Sequence, residues 1–181
     1  MVAGVAVVLA FAVGCGSDTG TGSGEGNVIP SDRIYTIDDL LAAGFRNSKQ
    51  YDVEGLPAAT DARFGFWGRD PYKRMDYEVR FYASHEDAVE HGSGPADQIT
   101  GTDDLVANSD TLIWREGWKE WWFRAAAIMT LGSDVMSKHN VAKYAEFVIL
   151  GNMVMLCEGQ DAAQSLERCE DLMEAIHEAE A

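Results

Sequence analysis

Basic residues are scarce in this chain. Fourteen Lys and Arg stand against 30 Asp and Glu, a net charge of −16. Nucleic acid demands a positive footprint for its phosphates, so that class of partner is excluded, and adsorption to an anionic lipid surface is disfavoured for the same reason. The plain consequence of the acidity is solubility. Catalytic signatures are missing as well. Of the four histidines, His85 and His91 point different ways on a short predicted helix, His139 lies in a predicted loop and His177 in the C-terminal tail. None completes H-x-x-x-H or H-E-x-x-H, so no zinc hydrolase set is present. There is no G-x-S-x-G elbow and no Walker loop. Residues 86–110 contain acids and no Lys or Arg, but their spacing does not match a Ca²⁺ loop. They read as a solvated face. No catalytic residue, metal or cofactor is assigned.

Long hydrophobic runs are also lacking. The longest apolar or small stretch, residues 1–13, would make roughly 20 Å of helix against a hydrocarbon core of about 30 Å. It is too short to span a bilayer and has the length of a signal-peptide core. It leads into Ala12-Val13-Gly14-Cys15, then into Gly- and Ser-rich chain up to Asn27. No Lys or Arg precedes Arg33, so a charged n-region would lie upstream of Met1. Residues 16–27 carry no large apolar side chain and behave as a flexible tether with a reach of roughly 20 Å.

Ala12-Val13-Gly14-Cys15 resembles the lipobox of bacterial lipoproteins. The resemblance implies a signal peptide over 1–14, lipidation of Cys15 after cleavage, and a tether over 15–27. It also implies an extracytoplasmic domain held to the bacterial membrane by lipid on Cys15. The remainder, 28–181, is of a length for one domain.

Cysteine usage suits export. With Cys15 assigned to lipid, Cys157 and Cys169 remain as an even pair. Cys169 falls on the helical stripe Leu166, Cys169, Leu172, Met173, Ile176, and Cys157 ends the apolar run before it. A Cys157–Cys169 disulfide is predicted, pinning the last helix to a sheet.

The fold class expected is α+β: a small antiparallel sheet with helices packed against it. Thr36 N-caps a short helix that stops at Gly44, with Leu40 and Leu41 on its buried side. Alternation over 62–67 and 77–82 predicts two antiparallel strands joined by the turn Gly68-Arg69-Asp70-Pro71. Ser84 caps a helix over 85–91 ended by Gly92, and 93–110 reads as loop. Residues 147–150 and 153–156 flank Gly151-Asn152, a type II′ hairpin signal, and their continuous apolarity predicts strands covered on both faces or else a buried helix. The segment 162–178 predicts an amphipathic helix whose terminal acids oppose the helix dipole and favour fraying.

Two clusters are candidates for ligand binding. Trp114, Trp118, Trp121 and Trp122 recur at helical spacing, predicting a helix over 114–131 interrupted by Gly117. Such a stripe is first of all a core stripe. Neighbours on a helix sit about 100° apart, so Trp121 and Trp122 cannot share one core, and the outward one, with Phe123, would form a ligand wall. Arg63, Arg69, Lys73, Arg74 and Arg80 are five of the fourteen basic residues within eighteen positions. Gathered at one end of the strand pair they would suit a carboxylate or phosphate; cross-strand ion pairing with Asp70, Asp76 and Glu78 is the alternative. Two functions follow: a tethered, non-catalytic domain binding a small ligand or an envelope protein, or an extracytoplasmic hydrolase of a glycan or ester. A deep cleft with two facing carboxylates near Trp121 would favour the second, and a shallow apolar or basic groove the first.

Overall fold

The computed structural model describes residues 27–101, 111–122 and 142–180. The predicted signal, lipobox and tether up to Gly26, the tryptophan segment beyond Trp122 with Phe123, and His139 lie outside these residues. The fold is α+β. Six strands make one sheet: β1 (Asn27–Ile29), β2 (Arg46–Gln50), β3 (Ala59–Trp67), β4 (Met75–Tyr82), β5 (Tyr144–Leu150) and β6 (Met153–Glu158), in the order β1-β5-β6-β4-β3-β2. All neighbours are antiparallel except β1, which runs parallel to β5 and makes the sheet mixed.

Both predicted strand pairs form. In β5–β6 the turn has Gly151 at φ +52 while Asn152 stays at negative φ, the pattern of a type II′ turn. The β5–β6 segment is therefore a hairpin and not a buried helix. Asn152 is buried with its amide fully used: Oδ1 accepts from Tyr35 N at 2.7 Å, and Nδ2 donates to Tyr35 O at 3.1 Å and Tyr82 O at 2.9 Å. It ties the entry strand region to the end of β4. His85 is spent on structure as well: its Nδ1 lies 2.9 Å from Gly151 O, which only accepts, so Nδ1 carries the proton. Strands β1 and β2 had no hydrophobic alternation to announce them. β2 is an edge strand with all five residues exposed, stabilised by pairing to β3.

Helices cover both faces. On one face lie α1 (Ile37–Ala42) and α4 (Ala162–Glu178), with Leu40, Leu172 and Ile176 packed among Val79, Met153 and Met155. Thr36 starts α1, and the Asp39 carboxylate accepts from its backbone N–H at 2.7 Å. Gly44 follows the helix at φ +89. Leu40 is fully buried; Leu41, expected beside it, is 46% exposed because the inward side of this six-residue helix is Ile37 and Leu40, three apart, and Leu41 falls outside it. Asp161 caps α4 by accepting from Gln164 N at 2.9 Å. The disulfide between Cys157 and Cys169, with Cα atoms 5.6 Å apart, pins α4 to β6 as predicted. The terminal acids of α4 are held: Glu178 pairs with Arg69 at 3.3 Å, and Glu180 pairs with Arg33.

The other face carries α2 (His85–Asp87), a π-helical turn (Ala88–Gly92), α3 (Ser93–Asp97) and the segment 111–122. Ser84 caps α2 as expected, accepting from Asp87 N. Gly92, expected as a stop, is passed through at φ −89, and part of the predicted loop is α3. The reason is space. A Cβ on Gly92 would stand 2.7 Å from Val154 Cγ2 and 3.0 Å from the Tyr82 hydroxyl, so glycine here permits close packing of the turn on the sheet. The predicted tryptophan helix does not form between Trp114 and Trp122, which is a succession of turns. Gly117 sits at φ +81, a left-handed conformation that breaks a helix.

Candidate functional site

The site is built on the middle of the sheet. Strands β4 and β6 are its two central strands, so the face of β4 carrying Glu78, Arg80 and Tyr82 has neighbours on both sides. Arg80 is flanked by Ala62 and Val154, and Glu78 by Phe64 and Leu156. The segment 111–122 closes over them, and both charged side chains are fully buried. Arg80 Nε donates to Glu78 Oε1 at 2.7 Å, with Nη2 at the same distance but not aligned for a hydrogen bond. The other carboxylate oxygen, Oε2, accepts from the Trp121 indole N–H. Burial pushes the Glu78 carboxyl above the usual carboxylate range, against the opposing pull of Arg80 and the Trp121 N–H.

Aromatic rings surround the pair. The Arg80 guanidinium stands 5.0 Å from the centroid of Trp114, a cation–π contact. Tyr51 meets Trp114 edge-on at 5.6 Å, Trp121 lies 5.7 Å from Trp114, and Trp118 meets Trp122 at 5.3 Å. Gly117 is needed for this crowding. A Cβ there would stand 2.9 Å from both Trp121 Nε1 and Tyr51 Cζ. Trp121 and Trp122 therefore share one core, contrary to the helical expectation, because the irregular backbone is free of the 100° rule. Trp118 is the half-buried one.

Several polar atoms on this face have no hydrogen-bond partner among the described residues. They are Arg80 Nη1 and Nη2, the hydroxyls of Tyr51, Tyr82 and Tyr144, and Trp122 Nε1. All belong to side chains 9% exposed or less. Burial raises the phenol pKa of Tyr51, Tyr82 and Tyr144 above the ordinary value, with Glu78 adding to the rise in each.

Of the sequence candidates, the structure assembles Trp114, Trp118, Trp121, Trp122 and Arg80. The other basic residues go elsewhere. Arg63 lies on β3 beside Asp61, which it pairs at 2.8 Å, in register with Val79 and so on the opposite face from Arg80. Arg69 reaches Glu174 at 2.9 Å on α4, while Lys73 and Arg74 are exposed in the β3–β4 connection. The polar sides of two paired strands are one face only when the register is known. Tyr51, Tyr82 and Tyr144 were missed, while Glu78, named only as a cross-strand ion-pair partner for the basic cluster, pairs with Arg80 along the same strand. A signal existed: the β5–β6 run is apolar on both faces, so a strand paired with it has its polar face covered too.

Beside the cluster a surface cleft of about 340 Å³ is lined by Asp52, Glu54, Ile113, Trp114, Arg115 and Glu116. Trp114 is the wall between the two, its Nε1 donating to Asp52 O at 3.0 Å. Among the described residues no group of His, Cys, Asp and Glu could hold a metal ion, and no helix is long and apolar enough to cross a membrane.

A protein family described only as of unknown function, DUF6810, matches residues 36–178. The chain belongs to that family. The DUF6810 match runs from the N-cap of α1 to the last residue of α4, and it contains the whole buried cluster and both disulfide cysteines. Residues 1–35, with β1 among them, lie outside it. No curated protein and no solved structure matches the chain.

Proposed function

We propose that this DUF6810 protein is an extracytoplasmic, lipid-anchored binding domain, non-catalytic, whose ligand occupies the aromatic face of the sheet. The observation that carries the binding role is that the buried polar atoms without a hydrogen-bond partner among the described residues belong to side chains on this one face of the sheet. Folded proteins pair more than nine in ten buried polar groups, with water or a ligand completing the rest. The lipobox-like Ala12-Val13-Gly14-Cys15 and the Gly-rich tether support the anchored placement. The Cys157–Cys169 disulfide agrees with an oxidising compartment.

The hydrolase reading has less support. The carboxylate beside Trp121 is Glu78, which is buried and already engaged by Arg80 and Trp121. The cleft at Trp114 is lined by three carboxylates, Asp52 and Glu54 exposed to solvent and Glu116 half-buried, and no side chain lining it is a buried nucleophile or base.

Two measurements test the proposal. Native mass spectrometry of the full chain purified from its host should show a retained adduct that denaturation removes; a bare polypeptide mass would move the role toward a protein partner. Cys15→Ser should shift the protein from the membrane to the soluble fraction. Retention at the membrane would overturn the lipid anchor.

A further inference from the structure

With 30 acids against 14 bases, a surface cation on this chain has carboxylates to choose from. Most of the described cations take one: Arg33, Lys49, Arg63, Arg69, Arg80 and Lys143 are ion-paired. Arg46, Lys73, Arg74 and Lys119 are exposed, and their side chains have no partner among the described residues. The first three lie at one end of the sheet. Phe66 on β3 has Arg46 as its neighbour on one side and Asp76 on the other, one row from the pair Trp67–Met75 that closes the β3–β4 turn. Lys73 and Arg74 belong to that turn.

The turn has a defined shape. The Asp70 carboxylate accepts from Tyr72 N at 2.9 Å, and its carbonyl accepts from Lys73 N at 3.0 Å. A Cβ on Gly68 would stand 2.7 Å from Lys73 O, so glycine lets the two limbs of the turn close on each other. The tip so formed presents Tyr72 with 95% of its surface exposed, next to the two cations. Leu41, also exposed, stands on the last turn of α1, whose end is tied here by Trp67 Nε1 donating to Ala43 O at 2.9 Å. Nearby acids are engaged: Asp76 pairs with Lys143, and Asp171, Glu174 and Glu178 gather about Arg69. Tyrosine is enriched at membrane–water interfaces, and anionic headgroups attract Lys and Arg.

We infer that the β3–β4 tip, Tyr72 with Lys73, Arg74 and the adjacent Arg46, is a contact surface for anionic lipid headgroups. This inference rests on the lipid-anchored reading. Strand direction supports it. β5 starts at Tyr144 opposite Glu158, the last residue of β6, and Cys157 lies opposite Tyr77 near the start of β4. The start of β5 and the β3–β4 turn are therefore at one end of the sheet. β1 runs parallel to β5, so the chain enters β1 from that same end. Three strand spacings, about 14 Å, separate β1 from β4, within the roughly 20 Å reach of the tether. A net charge of −16 gives an untethered domain no attraction to such a surface. The anchor supplies the encounter, and the tip selects the end that touches.

The test reconstitutes the full lipidated chain on vesicles of phosphatidylglycerol mixed with phosphatidylcholine, or of phosphatidylcholine alone. An environment-sensitive fluorophore is attached to Tyr72→Cys, and to Ala83→Cys at the opposite end of β4 as the control. On the anionic vesicles the label at position 72 should shift to the blue, and high salt should reverse the shift. On neutral vesicles, and at position 83 on either, the label should report water. Adding K73E/R74E to the Tyr72→Cys chain should abolish the shift and leave the melting temperature unchanged, because neither side chain has a partner to lose. Each cation at an anionic surface strengthens contact about fivefold, so losing two weakens it about 25-fold and reversing them weakens it further. A chain that floats with anionic vesicles while the label at 72 reports water would overturn the contact and leave the anchor standing. So would a shift that survives K73E/R74E. A chain that floats with neither vesicle would overturn both. Soluble polyglutamate added to the chain on neutral vesicles should give no shift; a shift there and none on anionic lipid would make the partner an acidic protein and overturn the lipid contact.

Discussion

At the scale of single residues, the Glu78–Arg80 pair organises the aromatic face. Two charges taken out of water are stabilised only by each other and by the groups around them, so such a pair contributes little net stability while the loss of one member is severe. Glu78→Gln preserves shape and leaves a guanidinium buried without its counter-charge. It should cost about 3–5 kcal/mol in urea denaturation. Replacing both residues together by apolar ones of similar size should recover most of that loss. An unchanged midpoint for Glu78→Gln would mean that the pair is hydrated in solution. The alternation Glu78-Val79-Arg80-Phe81-Tyr82 read correctly as a strand. It said nothing of which side faces water, because a period of two distinguishes faces without naming them.

At the scale of elements, legibility followed local chemistry. The helix α4 has a strong 3.6-residue stripe and an Asp cap, and its predicted span of 162–178 matches the observed one. The hairpin β5–β6 was marked by Gly151-Asn152. Elements whose stability comes from neighbours were illegible. β2 is a polar edge, and the Trp114–Trp122 segment is shaped by packing around Gly117 despite a helix-like spacing of tryptophans. The Cys157–Cys169 bond joins two of the legible elements. Closing a loop between residues 12 apart in sequence should contribute about 3 kcal/mol. Cys169→Ala is therefore expected to melt well below wild type under oxidising conditions, and reductant should bring wild type down to meet it. Wild type that melts alike with and without reductant would show the bond to be absent.

At the scale of the whole molecule, burial of tyrosine on both faces ties stability to alkaline pH. Tyr51, Tyr77, Tyr82 and Tyr144 all have phenol pKa values raised above the ordinary range by burial. In the unfolded chain these phenols ionise near pH 10. Above that pH the unfolded state sheds protons that the folded state keeps, so stability is fully present below about pH 10 and falls as pH rises beyond it. The slope is roughly 1.4 kcal/mol per pH unit for each tyrosine. Phenolate absorbance from these four should appear in one step together with loss of the circular dichroism of the fold. Gradual ionisation with the dichroism intact would show that water reaches the hydroxyls.

The sequence by itself determined the α+β class, the two hairpins, the last helix and the cysteine pairing. Each rests on local periodicity, turn chemistry or composition, which short-range forces decide. Only the tertiary structure decided that the five clustered basic residues disperse, with Arg80 alone turning inward, and that four tryptophans share one core without a helix. Those outcomes depend on register and on layers meeting across the sheet. Ala62 and Val154 come to flank Arg80 only once β3 and β6 are paired to β4, and residues so far apart in the chain carry no local mark of their meeting.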